Sequence, residues 1–414
     1  MRKKGVFVSA IAVVAILFLS SPALAQIKAP TGGNIKLGPV EIHPSVGLTE
    51  TYSDNIYKSY DNKSDESDYI TTLSPGVQFL LPLGRHSFQA GYKADINWYA
   101  DNSETDYTNH LAGGTLNLDF PGGLIFTLSD YYTIGTVLRK WKEQSGVSGS
   151  SDPYREKEYK ANDLNAKVRY NFADRWAAGV WYNNYDFDYD ESYDDDGSYN
   201  RNLFGGSVIY RFTAKTEALL EYNYSDVDYD DTNKDDDNDN HMAYVGVSFD
   251  PTAKLNGYLK VGWAKKEYDR SVSDRDDSID KFSTLVDLGY DISSYNQLRL
   301  KVYRAIEEDS DTNAPFTKNN VNLGFRHVLA WNEKIGLSAN IGYGKDKFEE
   351  SATDTDGSIK TRDDKKWYGG VGLDYAMRKW LEFKLNYTYT DNDSNFKRYD
   401  YSENRVFLNA VVSF

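Results

Sequence analysis

The chain has no cysteine among its 414 residues, and only five histidines. Without thiols there is no disulfide framework, the usual support of small secreted domains, and no lipidated cysteine to follow an export signal. The histidines are scattered. His43, His86, His110, His241 and His327 form no His-Glu-x-x-His pair, and no Gly-x-Ser-x-Gly elbow occurs. His110 reads as an interfacial or lumen residue rather than a base, no catalytic residue is assigned, and a non-enzymatic role is expected. Basic residues are also in deficit, at 47 against 63 acidic ones for a net charge of −16, which argues against nucleic acid as a partner. Long apolar runs are missing too: beyond residue 25 nothing approaches the ~20 apolar residues of a membrane helix.

What the chain has instead is alternation. Leu381, Phe383, Leu385, Tyr387 and Tyr389 interleave with Glu382, Lys384, Asn386, Thr388 and Thr390, so a strand here has one apolar and one polar face. The same holds for Phe88 to Trp98 and for Leu164 to Phe172. A soluble antiparallel sandwich also alternates, so the compartment has to come from the ends of the chain. Residues 1–25 read as a signal peptide, with basic Arg2, Lys3 and Lys4, an apolar Val6 to Leu19 and the small-residue site Ala23-Leu24-Ala25. At the other end Phe414, Val412, Ala410, Leu408 and Val406 share one strand face. A terminal aromatic closing such a strand resembles the signal that outer-membrane barrels present to their assembly machinery.

Between these ends, short turns and long acidic loops take turns. The turns include Leu83-Gly84, Pro121-Gly122-Gly123, Thr213-Ala214-Lys215 and Arg378-Lys379; the loops include Asp61 to Asp68, Asp194-Asp195-Asp196 and Asp235-Asp236-Asp237. The pattern predicts an all-β fold, a transmembrane antiparallel up-and-down β-barrel of about eighteen strands, with sixteen as the alternative. The strands run from 44–57 and 68–81 to 380–391 and 400–414. The expected divisions are a signal peptide at 1–25, a loose periplasmic leader at 26–39 and the barrel at 40–414. Both ends then lie on the short-turn side, taken as the periplasm, and the acidic loops face out. The low hydrophobic share of 40% fits, because only one side of each strand meets lipid. The 34 tyrosines, 19 phenylalanines and 8 tryptophans suit two interfacial belts.

A barrel of this size is wide enough for an aqueous lumen. Candidates to line it are Lys93, Asp95, Lys167, Arg169, Glu217, Glu221, Lys260, Asp287, Arg299, Lys301, Glu382 and Lys384. Charges of both signs suit hydrophilic solutes in general better than a single ion. The bland alternative is that they pair across the lumen and fill it. The loops raise a second candidate: Asp186, Asp188 and Asp190, and likewise Asp226, Asp228 and Asp230, each share a strand face and are expected to continue the polar face above the membrane. Hard cations take several carboxylate oxygens, so loosely bound Ca2+ is conceivable there, although Glu191 stands where an EF-hand loop needs glycine. No cofactor is required.

The first third of the chain carries a more specific pattern. It comprises Gly38-Pro39-Val40-x-Ile42-x-Pro44, Tyr52-x-Asp54-Asn55-Ile56-Tyr57, Ser67-Asp68-Tyr69-Ile70, Ser74-Pro75-Gly76, Leu83-Gly84-Arg85-His86, Gly91-Tyr92, Tyr99-Ala100-Asp101 and Asp106-Tyr107-Thr108-Asn109-His110. This resembles the beta-barrel porin-2 family of outer-membrane proteins, some of them encoded with exopolysaccharide export systems. The resemblance implies a porin-like pore for hydrophilic solutes or an exported exopolysaccharide, in contact with outer-membrane lipid, lipopolysaccharide and periplasmic polysaccharide export proteins. It implies no active site. The alternative is a plugged surface-display barrel whose acidic loops bind divalent cations, lipopolysaccharide or a partner.

Overall fold

A computed structural model of the protein describes residues 35–58, 66–140, 154–190, 197–230, 236–270, 276–309, 313–354 and 357–414. The signal peptide and most of the leader expected from the sequence lie outside the described residues. The strands are β1 (Ile35–Leu37), β2 (Val40–Ser53), β3 (Asp68–Leu83), β4 (His86–Tyr99), β5 (Tyr107–Asp119), β6 (Leu124–Lys140), β7 (Tyr154–Asn171), β8 (Trp176–Tyr189), β9 (Tyr199–Thr213) and β10 (Thr216–Tyr229). They continue as β11 (Asn238–Phe249), β12 (Leu255–Tyr268), β13 (Ser278–Ser293), β14 (Asn296–Glu308), β15 (Pro315–Leu329), β16 (Asn332–Thr353), β17 (Ile359–Arg378), β18 (Leu381–Ser394) and β19 (Tyr401–Ser413).

From β2 to β19 each strand pairs antiparallel with the next, and β19 pairs back onto β2, so eighteen strands close a ring. Closure leaves no open sheet edge, which a bilayer would not tolerate. Connections at one end span two to five residues and at the other five to fourteen. Five of them have two residues, among them the Gly84-Arg85 hairpin below the Leu83↔His86 pair, where Gly84 takes φ 69°.

Alternation sets which face meets lipid. Outward aromatics fall in two belts: Phe172, Trp176, Phe212, Trp331, Trp380 and Phe414 near the short turns, and Tyr69, Trp98, Tyr222, Trp263, Trp367 and Tyr389 toward the loops, all exposed. Aliphatic residues such as Val180, Leu220, Val245, Ile341, Val371 and Leu408 lie exposed between them. On β18 the belts are about nine residues apart, which at ~3.3 Å per residue and ~40° of tilt gives about 23 Å, close to the ~25 Å apolar band of a membrane barrel. Val406, Leu408 and Phe414 of the terminal strand are exposed on this lipid-facing side.

Two boundaries differ from the sequence reading. The leader, expected to be loose over 26–39, is regular from Ile35: β1 pairs with β2 through Ile35↔Ile42 and Leu37↔Val40, and Lys36 bridges Glu41 at 3.1 Å. Strand β2 was expected to reach Tyr57 but ends at Ser53. Lys58 takes φ 51°, and Ile56 and Tyr57 leave the wall to pack with Ile70, Tyr99 and Tyr107. An apolar cluster at the loop end gives these side chains more burial than continued alternation would.

The residues behind the family resemblance build this end of the barrel. The Asp68 carboxylate accepts backbone N–H groups of Tyr69, Ala100, Asp101 and Asn102. Asp54 accepts from the Asn404 backbone and side chain, both at 2.7 Å, and Asp106 accepts from the Tyr99 N–H at 2.7 Å. Buried backbone donors need partners, and these carboxylates supply them.

Candidate functional site

The lumen is the natural place to look for function in a closed barrel, and contacts between non-neighbouring strands identify its face. Side chains two or more strands apart meet only on the concave side. Arg169 of β7 donates to Glu217 of β10 at 2.6 Å, and Lys260 of β12 to Glu221 of β10 at 2.7 Å. Arg326 of β15 grips Asp374 of β17 through two bonds of 2.7 and 2.8 Å. By strand parity Lys93, Asp95, Lys167, Arg169, Glu217, Glu221, Lys260, Asp287, Arg299, Lys301, Glu382 and Lys384 all share this inward side, opposite exposed Tyr92, Tyr170, Leu220, Leu259, Tyr290 and Leu385.

These charges are largely paired. Lys93 contacts Asp95 at 2.8 Å, Arg299 contacts Asp287 at 2.6 Å with Lys301 at 3.8 Å, and Lys384 contacts Glu382 at 3.4 Å. Lys167 sits two residues below Arg169 on the same strand face. The Glu221–Lys260 pair is nearly sealed, with both side chains below 5% exposed. Such a pair contributes little net stability when intact, yet either charge alone would be costly to bury.

The inner wall is uneven around the ring. Over β6 to β13 it is covered by aromatic side chains packed over glycines of the neighbouring strand: Tyr131 covers Gly113, Tyr159 covers Gly135, Trp181 covers Gly205 and Tyr244 covers Gly262. Trp181 reaches over β9 to donate its Nε1–H to Asn223 of β10 at 3.0 Å, and Tyr244 reaches over β12 to Ser283 of β13 at 2.9 Å. Tyr368 repeats the arrangement across Gly342, donating to Asn320 at 2.8 Å. A side chain on the intervening strand would block each of these spans. Sequence reading missed them, though a glycine directly opposite an inward aromatic is a usable signal.

The opposite half, Tyr368 aside, holds the more open space. A cavity of about 790 Å3 lies against β2 to β5 and β15 to β19. Its lining mixes short neutral polar groups, among them Ser45, Thr49, Thr72, Ser74, Gln78, Asn97, Asn109 and Asn409, with charged side chains, of which Lys93, Asp95, Glu382 and Lys384 are sequence candidates. Arg326, Glu333, Lys334, Asp374, Arg378 and Lys379, none of them among the lumen candidates of the sequence, line it near the short turns.

Toward the loops a cluster of side chains gathers around Arg362 of β17. Its guanidinium stacks 3.2 Å from the Tyr399 ring centre and 4.4 Å from that of Phe348, and binds Asp364 at 2.6 Å and Asp309 at 3.3 Å. Phe396 beside it is fully buried. Arg362 thereby ties the β14–β15 loop and the β18–β19 turn to the barrel wall.

The carboxylates considered for calcium do not continue the lumen face. Asp186 and Asp188 share the parity of Val180 on β8, and Asp226 and Asp228 that of Leu220 on β10, so all continue the outward, lipid-facing side. Above the apolar band that side also meets water, which removes any need for charge to stay inside. Successive carboxylates on one strand face are about 6.6 Å apart at their Cα atoms, too far to converge readily on one small cation. Asp190 is taken by Lys160 at 2.8 Å and Asp186 accepts from Asn200 at 3.2 Å. Among the described residues no group of three or more His, Asp or Glu side chains is placed to hold a metal. His110 lies on the outward face, its Nδ1 2.8 Å from the Tyr92 hydroxyl.

Solved structures with similar folds include the outer membrane protein OpdK from Pseudomonas aeruginosa, at 11% identity and TM-score 0.48 over 92% of this chain and all of that one. OccK2 (OpdF) from the same organism gives 10% identity and TM-score 0.48 over 92% of this chain and all of that one. The FrpB iron transporter from Neisseria meningitidis gives 10% identity and TM-score 0.46 over 84% of this chain and 62% of that one. No curated protein matches the chain. The sequence profile of the family described as "Putative beta-barrel porin 2" matches residues 29–414. The protein therefore belongs to that family, and its closed ring of strands is an outer-membrane β-barrel of porin type.

Proposed function

We propose that the barrel is a passive channel for hydrophilic solutes or an exported exopolysaccharide chain, with the path running along the more open half of the lumen. The observation that carries this is the cavity of about 790 Å3 lined by hydroxyl, amide and charged side chains, facing a half whose wall is covered by aromatics packed over glycines. Neutral polar groups exchange hydrogen bonds with a passing polyol without holding it. With export through a cleaved signal peptide at 1–25 and both ends of the barrel on the short-turn side, the short turns are read as facing the periplasm of a Gram-negative bacterium. Periplasmic polysaccharide export proteins would then meet the short-turn rim, and lipopolysaccharide the upper belt. The face of Phe414, Val412, Ala410 and Val406 would address the assembly machinery.

Purified barrel in planar bilayers should conduct, with a modest cation preference from the acidic loop end that fades as salt rises. Anion preference would overturn the acidic-vestibule part of the reading. A sealed barrel would instead support the second reading, a display barrel closed by the Ile56, Tyr57 and Tyr99 cluster and the Arg362 stack. That reading also predicts a phenotype on loop deletion.

The outward carboxylates are read as a solvated rim that condenses divalent cations loosely, including those that bridge lipopolysaccharide. Melting followed in calcium and in chelator should give the same midpoint. A clear rise with calcium would replace this reading with a specific site.

A further inference from the structure

At the short-turn mouth of the more open half, basic residues outnumber their acidic partners, against the charge of the whole chain. Arg326, Lys334, Arg378, Lys379 and Lys384 line the cavity there with Glu333, Asp374 and Glu382, and Glu333 accepts from the Tyr295 hydroxyl at 3.2 Å. Arg326 occupies both oxygens of Asp374, at 2.7 and 2.8 Å, by crossing above Gly336. Glu382 lies 3.4 Å from Lys384. That leaves Lys334 and Arg378 with no carboxylate on either among the described residues. The Lys334 amine is not loose, because it donates to the Met377 carbonyl oxygen at 3.3 Å, which holds it beside the end of β17 that carries Arg378.

From this we infer that the short-turn mouth is a binding site for a carboxylate on a polyhydroxylated solute, with Lys334 and Arg378 as the anion-binding pair. The inference deepens the channel reading by naming the class of solute. Two cations on adjacent strands, in a chain of net charge −16, hold a local positive potential that the rest of the protein opposes. Arginine supplies planar donors to a carboxylate and lysine a point charge. The hydroxyl and amide lining of the same cavity supplies partners for the solute's hydroxyls. A neutral sugar meets only the second set, and a simple carboxylic acid only the first.

The test uses the full barrel in detergent and titration calorimetry, with trigalacturonate as probe and maltotriose as its neutral counterpart. Trigalacturonate should bind at least about tenfold more tightly than maltotriose, by an amount that shrinks as salt rises. The Lys334→Gln/Arg378→Gln double variant should lose about tenfold for trigalacturonate and leave maltotriose unchanged. Both residues lie at the strand ends by the turns, so the variant should keep the wild-type melting point, which is measured alongside. Equal binding of the two sugars, or undiminished trigalacturonate binding in the variant, would overturn the site. Conductance of the same preparations separates the two readings. A conducting barrel that ignores trigalacturonate removes the site and keeps the channel, whereas a sealed barrel that binds it keeps the site and removes the channel.

Discussion

Arg362→Ala is expected to lower stability by about 3 to 5 kcal/mol, because it removes one partner of a buried ion pair and leaves the other charged. Asp364, itself buried, would keep its contact with the Ser394 hydroxyl and lose the guanidinium. Tyr399 and Phe348 would lose the flat cation between them, a further contribution of order 1 kcal/mol. Urea unfolding from lipid vesicles reads the energy, and the temperature at which gel mobility shifts from folded to unfolded gives an independent check. Limited proteolysis should cut the β18–β19 turn at 395–400 more readily, since Arg362 fastens the Tyr399 ring and its loss leaves backbone-directed contacts such as that of Asn392 with the Tyr399 carbonyl oxygen at 2.7 Å. Arg362→Lys should fall between wild type and alanine, keeping the charge but losing the fork and the stack. An alanine variant as stable and as protease-resistant as wild type would show that the loop end is held by other contacts.

Gly205→Val is expected to have the next largest effect. A Cβ at this position would overlap the indole of Trp181, which lies across the glycine on its way to Asn223. Overpacking of this kind costs about 1 to 3 kcal/mol, and the buried Asn223 amide would lose its donor besides. The displaced indole has only the lumen to enter, so conductance should fall together with stability. Trp181→Ala in the same chain gives the decisive comparison. If the clash is the cause, the double variant is less destabilised than the two single changes added together. Strict additivity would mean that Gly205 matters for some reason other than the ring above it.

Much of this molecule could be read from alternation, and the exceptions share a cause. Segments expected at 68–81, 380–391 and 400–414 correspond to Asp68–Leu83, Leu381–Ser394 and Tyr401–Ser413, because a lipid-facing apolar row beside a wet row leaves little freedom in strand placement. Period-two patterning assigns residues to a face, but it does not identify what lies two strands away. The span from Trp181 to Asn223 depends on wall curvature and on a glycine between them, neither visible along one strand. Tyr57 looked like one more step of β2, since an alternating aromatic reads the same whether the strand continues or folds inward to Tyr99. The outward Asp186 and Asp188 read from the sequence as a continuation of the lumen face, because within the membrane band polarity marks the lumen. Above the apolar band both sides of the wall are wet and polarity no longer tells them apart.

The ring closes through β2 and β19, and this has a consequence for the order in which the barrel is built. Asp54 meets Asn404 across 350 positions and Thr49 meets Asn409 across 360, whereas β2 to β19 are otherwise joined as successive hairpins. Hairpins form early because their ends are already close, and the closing pair carries nearly the whole chain as its loop. Until that contact forms, β2 and β19 each present a row of unpaired backbone groups that lipid cannot satisfy. Closure therefore acts as a checkpoint that divides an assembling sheet from a membrane-stable barrel, and a defect in either closing strand should arrest assembly rather than weaken a finished barrel in proportion to its size.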